Sequence, residues 1–275
     1  MCLEPCPPMF PCLPRAVRLP INRCNLPADI LGSLTFQRHP VALQLDGVAE
    51  LHRALFERLA GLDDAAERAG VFMAHMVAEF SLDHPEEAGY TPRHGRAKAN
   101  YLKVLRGWAF DADGREAAVL KGWVESRFGL LPRYHGGPIR DFSGPTYRHY
   151  LEQRSGGLYN TNSLEAQFDL LYSYCQYELA RPRTGQTHLT LYRGVNRLGA
   201  YEELGEAAPG QRIVLLNSLN SFTLERERAC EFGDSILQVQ VPQAKVFFFH
   251  GLLPRKLHGE AEFGVIGGVY AVSEA

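Results

Sequence analysis

The chain has 275 residues, 45% hydrophobic and 22% charged, which is enough apolar content to bury a core as one large domain or two small ones and too much for a mainly disordered chain. Its formal net charge of −2 gives no basic footprint for nucleic acid or an anionic membrane. No apolar run reaches the roughly 18–20 residues that a membrane span needs, and the N-terminus lacks the basic start and apolar stretch of a secretory signal, so the expected compartment is the cytoplasm.

Pro5, Pro7, Pro8, Pro11, Pro14 and Pro20 exclude regular secondary structure over most of residues 1–20. Cys2, Cys6, Cys12 and Cys24 cluster in and just after this arm without a Cys-x-x-Cys pair, and read as reduced thiols rather than a metal site. Leu26, Ile30, Leu31, Leu34 and Phe36 make the following segment apolar enough to pack back on a core. Residues 1–45 are thus expected to be a Pro-rich arm and an ordered lead-in.

From Val48 the apolar period becomes helical. Val48, Leu51, Leu55, Leu59 and Leu62 recur at spacings of three and four, and predict one helix. A second runs through Val71, Phe72, Met76 and Phe80, a third through Tyr101, Leu105 and Trp108, and a fourth through Val119, Leu120, Trp123 and Phe128. His75, on the apolar face of the second, reads as a hydrogen-bonded core histidine. The stretch from Leu131 to Tyr159 has little periodicity and reads as a long loop, either lining a site or simply connecting elements. Its His135-Gly136-Gly137 would suit an esterase oxyanion loop, but the chain has no Gly-x-Ser-x-Gly elbow to go with it. Asn162 with Glu165 three residues on predicts a capped helix carrying Leu164, Phe168, Leu171, Tyr172, Cys175 and Leu179. The span 46–183 is read as a helical portion with a central loop.

Beyond Thr184 the pattern is mostly strand. Five are expected: His188–Arg193, Ile213–Leu216, Leu237–Val241, Val246–Phe249 and Phe263–Val272. Thr223 is expected to cap a short helix that ends at Gly233. The fold class is α+β, a helical N-terminal half packed on a C-terminal β-rich core over 184–275, with the whole forming one compact unit.

Three motifs in that last part carry chemistry. They are Leu191-Tyr192-Arg193-Gly194, Ser221-Phe222-Thr223 and Glu260-Ala261-Glu262. In a strand, residues i and i+2 share a face roughly 6.5–7 Å apart, so Glu260 and Glu262 would stand side by side in one cavity. Two acids with an arginine and a serine suit a charged substrate that reacts through a cation. No Gly-x-Gly-x-x-Gly turn, phosphate loop, His-Glu-x-x-His or kinase set is present.

In this order and spacing the three motifs resemble the Arg-Ser-Glu class of mono-ADP-ribosyltransferases. The resemblance extends along nearly the whole chain through Asn25-Leu26-Pro27, Ile30-Leu31-Gly32-Ser33-Leu34, Phe36-Gln37 and Tyr134-His135-Gly136-Gly137-Pro138. These look like the dinitrogenase reductase ADP-ribosyltransferases of nitrogen-fixing bacteria, which move ADP-ribose from NAD to one arginine of the nitrogenase iron protein and switch nitrogen fixation off.

The resemblance implies that NAD is a consumed substrate and that the transfer step needs no metal. It implies that Arg193 forks onto the NAD phosphate, that Ser221 bonds near the nicotinamide ribose, and that Glu262 accepts from the ribose 2′-hydroxyl and stabilises the oxocarbenium. Glu260 would hold the incoming guanidinium and take its proton. Gly194, Phe222 and Thr223 complete the expected NAD contacts, Phe222 alternatively being a packing residue. The middle motif departs from the Ser-Thr-Ser of many relatives, which leaves the role of Thr223 open, and Ser218 would be the family serine if the register slipped by three. Expected partners are dinitrogenase reductase and a P-II nitrogen-signalling protein. Transfer to another acceptor or to water would keep every motif, and a non-catalytic NAD-binding module is a further alternative.

Overall fold

The computed structural model describes residues 12–84, 99–158, 163–182, 185–196, 201–254, 256 and 261–275. The class is mixed α+β. Among these residues α1 (Ala28–Leu31) and α2 (Leu34–Arg38) form the lead-in, followed by α3 (Val48–Leu51), α4 (Arg53–Ala60), α5 (Ala65–Glu79), α6 (Tyr101–Phe110), α7 (Arg115–Phe128), α8 (Pro145–Leu158) and α9 (Leu164–Ala180). The strands are β1 (His188–Val195), β2 (Glu202–Ala208), β3 (Gln211–Thr223), β4 (Ser235–Pro242), β5 (Val246–Phe249) and β6 (Glu262–Glu274), with α10 (Arg226–Ala229) between β3 and β4.

Several expectations need correction. The single helix expected over 48–62 is two, because the backbone leaves the helical region at His52 (φ −103°, ψ 27°) and Leu51 is left exposed. The stretch read as a loop from 131 to 159 contains α8, whose one buried side chain among described residues is Tyr150, so it carries no apolar stripe to betray it. Asn162 and most of the proline-rich arm lie outside the described residues; the cap position of α9 is Ser163, which makes no side-chain bond there. Strand β2 was not expected, being almost wholly exposed, and β3 runs seven residues further than the short buried run at its start.

The sheet order is β2-β3-β1-β4-β6-β5, with an additional pairing of β3 to β6. Since β1 pairs with β3 and β4, and β6 also pairs with β3 and β4, these four strands close a ring. Closure leaves the four without the open edge that invites pairing with another chain.

Helix α9 ties the helices to the sheet. Tyr172 Oη donates to the Ala244 carbonyl at 2.8 Å, and Gln176 Nε2 to that of Val246 at 2.7 Å. On its other sides, Arg127 of α7 forks onto Asp169 with both bonds 2.8 Å, and Arg68 of α5 forks onto Glu178 with both 2.7 Å. These bidentate pairs are largely buried, where breaking one partner leaves the other charge stranded. In the lead-in, Gln37 acts as a substitute strand edge: Ala271 N donates to its Oε1 at 2.7 Å and its Nε2 donates back to the Ala271 carbonyl at 3.1 Å.

Lys245 is buried between Phe36 and Tyr270, its Nζ 5.6 and 5.1 Å from their ring centroids, and donates to the Gly267 carbonyl at 2.6 Å. Burial pushes its pKa down to about 7. An unfolded lysine titrates near ~10.4, so between those values the unfolded chain binds the extra proton and stability rises with pH, by up to about 1.4 kcal/mol per unit. Lys245→Met is expected to lose that rise. Urea melts of both proteins from pH 7 to 9.5 should show the variant gaining less than wild type as pH increases; parallel curves would mean that Lys245 stays charged in the folded protein.

Candidate active site

The three motifs converge from three strands. β1 carries Arg193, β3 carries Ser221 and β6 begins with Glu262. In the β3–β6 ladder Ser221 pairs with Gly264 and Thr223 with Glu262, which makes Ser221 and Glu262 diagonal neighbours on one face and within side-chain reach. Ser221 Oγ donates to Glu262 Oε1 in a short hydrogen bond. Arg193 Nη1 donates to the Ser221 carbonyl at 2.7 Å and its Nε to Tyr201 Oη at 3.0 Å. Guanidinium, serine and carboxylate therefore form one connected chain.

A fourth member comes from the helical part. Trp108 Nε1 on α6 donates to the same Glu262 Oε1 at 2.7 Å. The periodicity gave Trp108 only as a core residue, and it is 2% exposed. Its indole N–H is the signal that could have marked it, since a buried tryptophan usually finds an acceptor.

Behind it lies Lys121, 1% exposed, with Nζ 6.0 Å from the Trp108 ring centroid. It donates to the Ala112 carbonyl at 2.7 Å, the Tyr134 carbonyl at 3.0 Å and Asp113 Oδ1 at 3.1 Å. Burial holds its pKa down at about 8, opposed by Asp113 and assisted by the nearby charge of Arg193. His135 packs beside it, and burial, with the lysine's charge, lowers the imidazole to about 4, so this ring is neutral at physiological pH.

A cleft of about 790 Å³ opens at Arg193 and is bounded by Arg133, Tyr134, Arg140, Tyr201 and Asn217 among others. Ser221 and Glu262 are not among its lining residues and are linked to it by hydrogen bonds through Arg193. Three guanidiniums line the cleft, Arg133 paired there with Glu202 Oε2 at 2.7 Å, which leaves a net positive wall at Arg193 and Arg140 that attracts phosphates. The loop carrying Arg133 and Tyr134 is latched to a bulge in β3: Asn217 Oδ1 accepts from the Arg133 and Tyr134 amides at 2.9 and 3.3 Å, and its Nδ2 donates to the Tyr134 carbonyl at 2.9 Å. At the bulge, a Cβ on Gly267 would fall 1.7 Å from the Asn217 carbonyl oxygen. Gly194 lines the cleft too, and a Cβ there would fall 2.0 Å from the Ala229 carbonyl oxygen, so β1 can approach the α10 turn only without a side chain.

Other expected contacts fall elsewhere. Phe222 is 2% exposed and packs in the core, not on the cleft. Thr223 is also buried, and its Oγ1 accepts from the Glu225 amide at 3.2 Å. The Ser-Phe-Thr motif thus ends a strand instead of opening a helix; the cap position of α10 is Glu225, without a side-chain bond. Ser218 is buried at the bulge, and the register puts Ser221 beside Glu262. Glu260 lies outside the described residues. Ala261 has φ 51°, so the extended alternation expected across 260–262 does not pass through it.

The model of one protein family, the dinitrogenase reductase ADP-ribosyltransferases, matches residues 21–274. A protein of Rhodospirillum rubrum named NAD(+)–dinitrogen-reductase ADP-D-ribosyltransferase is 41% identical over 257 residues, spanning 91% of this chain and 93% of its own. No solved structure matches the chain significantly.

Trp108→Phe keeps the ring and removes the donor to Glu262. If the Glu262 carboxylate acts in the transition state, as the motif resemblance implies, losing the bond that orients it should lower NAD turnover about tenfold or more through kcat, with KM for NAD within a factor of about two. An equal rise in KM with kcat intact would assign Trp108 to substrate binding instead.

Proposed function

The chain belongs to the dinitrogenase reductase ADP-ribosyltransferase family, and from that premise we propose that it transfers ADP-ribose from NAD to an arginine side chain of dinitrogenase reductase, releasing nicotinamide and inactivating nitrogen fixation. The observation that carries the chemistry is the Glu262 carboxylate held by Ser221 and Trp108, with the Ser221 carbonyl bonded to Arg193, which lines a cleft large enough for a dinucleotide.

Arg193 would fork onto the phosphate next to the nicotinamide ribose, and Arg140 extends the same positive wall. Ser221 fixes the carboxylate. Glu262 accepts a hydrogen bond from the ribose 2′-hydroxyl and places negative charge beside the ribosyl carbon as its bond to the nicotinamide nitrogen breaks and the bonding pair leaves with the neutral ring. The target guanidinium gives up a proton to Glu260, and the nitrogen lone pair so freed forms the bond to that carbon. A preoriented carboxylate is suited to this because the charge it stabilises appears only in the transition state.

On this reading residues 184–275 are the transferase core, residues 46–183 shape target recognition around the cleft, and residues 1–45 are arm and lead-in. NAD is consumed, and no metal is assigned to the transfer step. A P-II nitrogen-signalling protein and ADP on the target would control the reaction in the cytoplasm. None of the described helices is long and apolar enough to cross a membrane.

Incubation with labelled NAD and ADP-bound dinitrogenase reductase tests the proposal. Label should appear on one target arginine with wild type and be absent with Glu262→Gln, which should also lose NAD hydrolysis. Glu260→Gln should lose transfer and keep part of the hydrolysis. Hydrolysis lost equally in both variants would overturn the division of roles between the two acids, and NAD consumed without label on the target would favour another acceptor.

A further inference from the structure

Away from the cleft, one group of metal-ligating side chains stands out among the described residues: His52, His75 and Glu79. His52 occupies the break between α3 and α4 and is 7% exposed. His75 and Glu79 lie four residues apart in the second half of α5, and so share one face of that helix. Their potential ligand atoms all lie within 4.8 Å of one another. His52 Nδ1 and His75 Nε2 are 3.2 Å apart, with the ring planes at 88°.

That separation admits two readings. It suits a single hydrogen bond between two neutral imidazoles, the expectation for His75 from its place on an apolar face. It also suits a shared ion: two nitrogens each about 2.0–2.1 Å from one tetrahedral cation stand roughly 3.3–3.4 Å apart. The carboxylate favours the second. A hydrogen-bonded histidine pair needs no acid, yet Glu79 comes into the same small volume from the solvent side, one helical turn beyond His75. Two imidazoles and a carboxylate from two elements, one ligand anchored in the protein and one reachable from water, make a site that an ion can enter.

We propose that His52 Nδ1, His75 Nε2 and the Glu79 carboxylate bind a divalent cation of the zinc class, clamping the α3–α4 break to α5. Imidazole donors select zinc, cobalt or nickel over calcium and magnesium, which take oxygen ligands. Three protein ligands leave a fourth position for water. None of the three residues lines the cleft, so the ion acts on the fold and not on the transfer step. Because α5 is joined to α9 by the Arg68–Glu178 fork, the clamp would extend that connection to residues 48–60.

The test uses the full-length chain freed of metal with a chelator, then titrated with Co²⁺ as a spectroscopic probe and with Zn²⁺ in competition. One equivalent should give the visible absorption of four-coordinate Co²⁺, displaced by Zn²⁺, and Zn²⁺ at about a hundredfold excess over its Kd should raise Tm by roughly 5 °C. His75→Ala and Glu79→Ala, changed at the accessible end of the cluster, should each weaken binding at least about tenfold, while the metal-free variants keep wild-type Tm within about 2 °C and wild-type NAD turnover. Absence of binding to the wild-type chain would overturn the proposal. So would Co²⁺ absorption that persists unchanged in His75→Ala, which would place the ion elsewhere, for example on the N-terminal cysteines.

Discussion

The pairing of β3 with β6 sets where the Ser221 hydroxyl and the Glu262 carboxylate stand. A hydroxyl at 221 and a carboxylate at 262 meet only when Ser221 lies opposite Gly264 and Thr223 opposite Glu262. A one-residue slip would turn the whole face inward, and a two-residue slip would separate the pair by a further strand repeat. Three features hold the register. The bulge between Leu216 and Leu219 needs the bare backbone of Gly267 opposite it; the Phe248 ring fills the space above Gly264; and β1 and β4 close the ring around both strands. Each removes a different slipped alternative, so the geometry is fixed before any substrate arrives.

The charges around that ladder are arranged to keep the carboxylate ready. Glu262 Oε1 receives two donors, one from its own sheet and one from α6, and the guanidinium of Arg193 is held one residue away through the Ser221 carbonyl. Burying Lys121 behind Trp108 costs free energy, because desolvation disfavours the ammonium and holds its pKa down. In return the lysine gathers the 111–114 turn and the 133–135 loop onto one ammonium, and places the loop that walls the cleft at a set distance from the indole. Groups positioned during folding need not reorganise when charge develops on the substrate.

What the sequence revealed, and what it hid, follows from how locally each feature is encoded. Helices α5, α6, α7 and α9 were legible because each buries apolar residues at helical spacing over ten or more positions. Helix α8 buries a single tyrosine, so no period marks it, though Pro145 at its first position was a start signal. The far half of β3 was hidden because a bulge shifts the alternation and because Asn217, Ser218, Asn220 and Ser221 look like a loop; the Asn217 amide serves the latch and the Ser221 hydroxyl the Glu262 carboxylate. Arg193, Ser221 and Glu262 were legible as residue types in a recognisable order. Trp108 and Lys121 were not, because their roles arise from contacts with residues 154 and 13 positions away along the chain.

The same contacts change how the helical part should be understood. A division at about residue 184 leaves Arg193, Ser221 and Glu262 together, but it removes the indole that shares Glu262 with Ser221. It also removes the Arg133–Arg140 wall of the cleft. It strips helix α9 from the sheet as well, leaving the Ala244 and Val246 carbonyls without the donors that now satisfy them inside the fold. The strands carry Arg193, Ser221 and Glu262, while the helical part supplies the indole bonded to that carboxylate and builds one side of the cleft. Carboxylate and cleft therefore share one scaffold, because α6 reaches Glu262 through Trp108 and the loop after α7 lines the cleft beside Arg193.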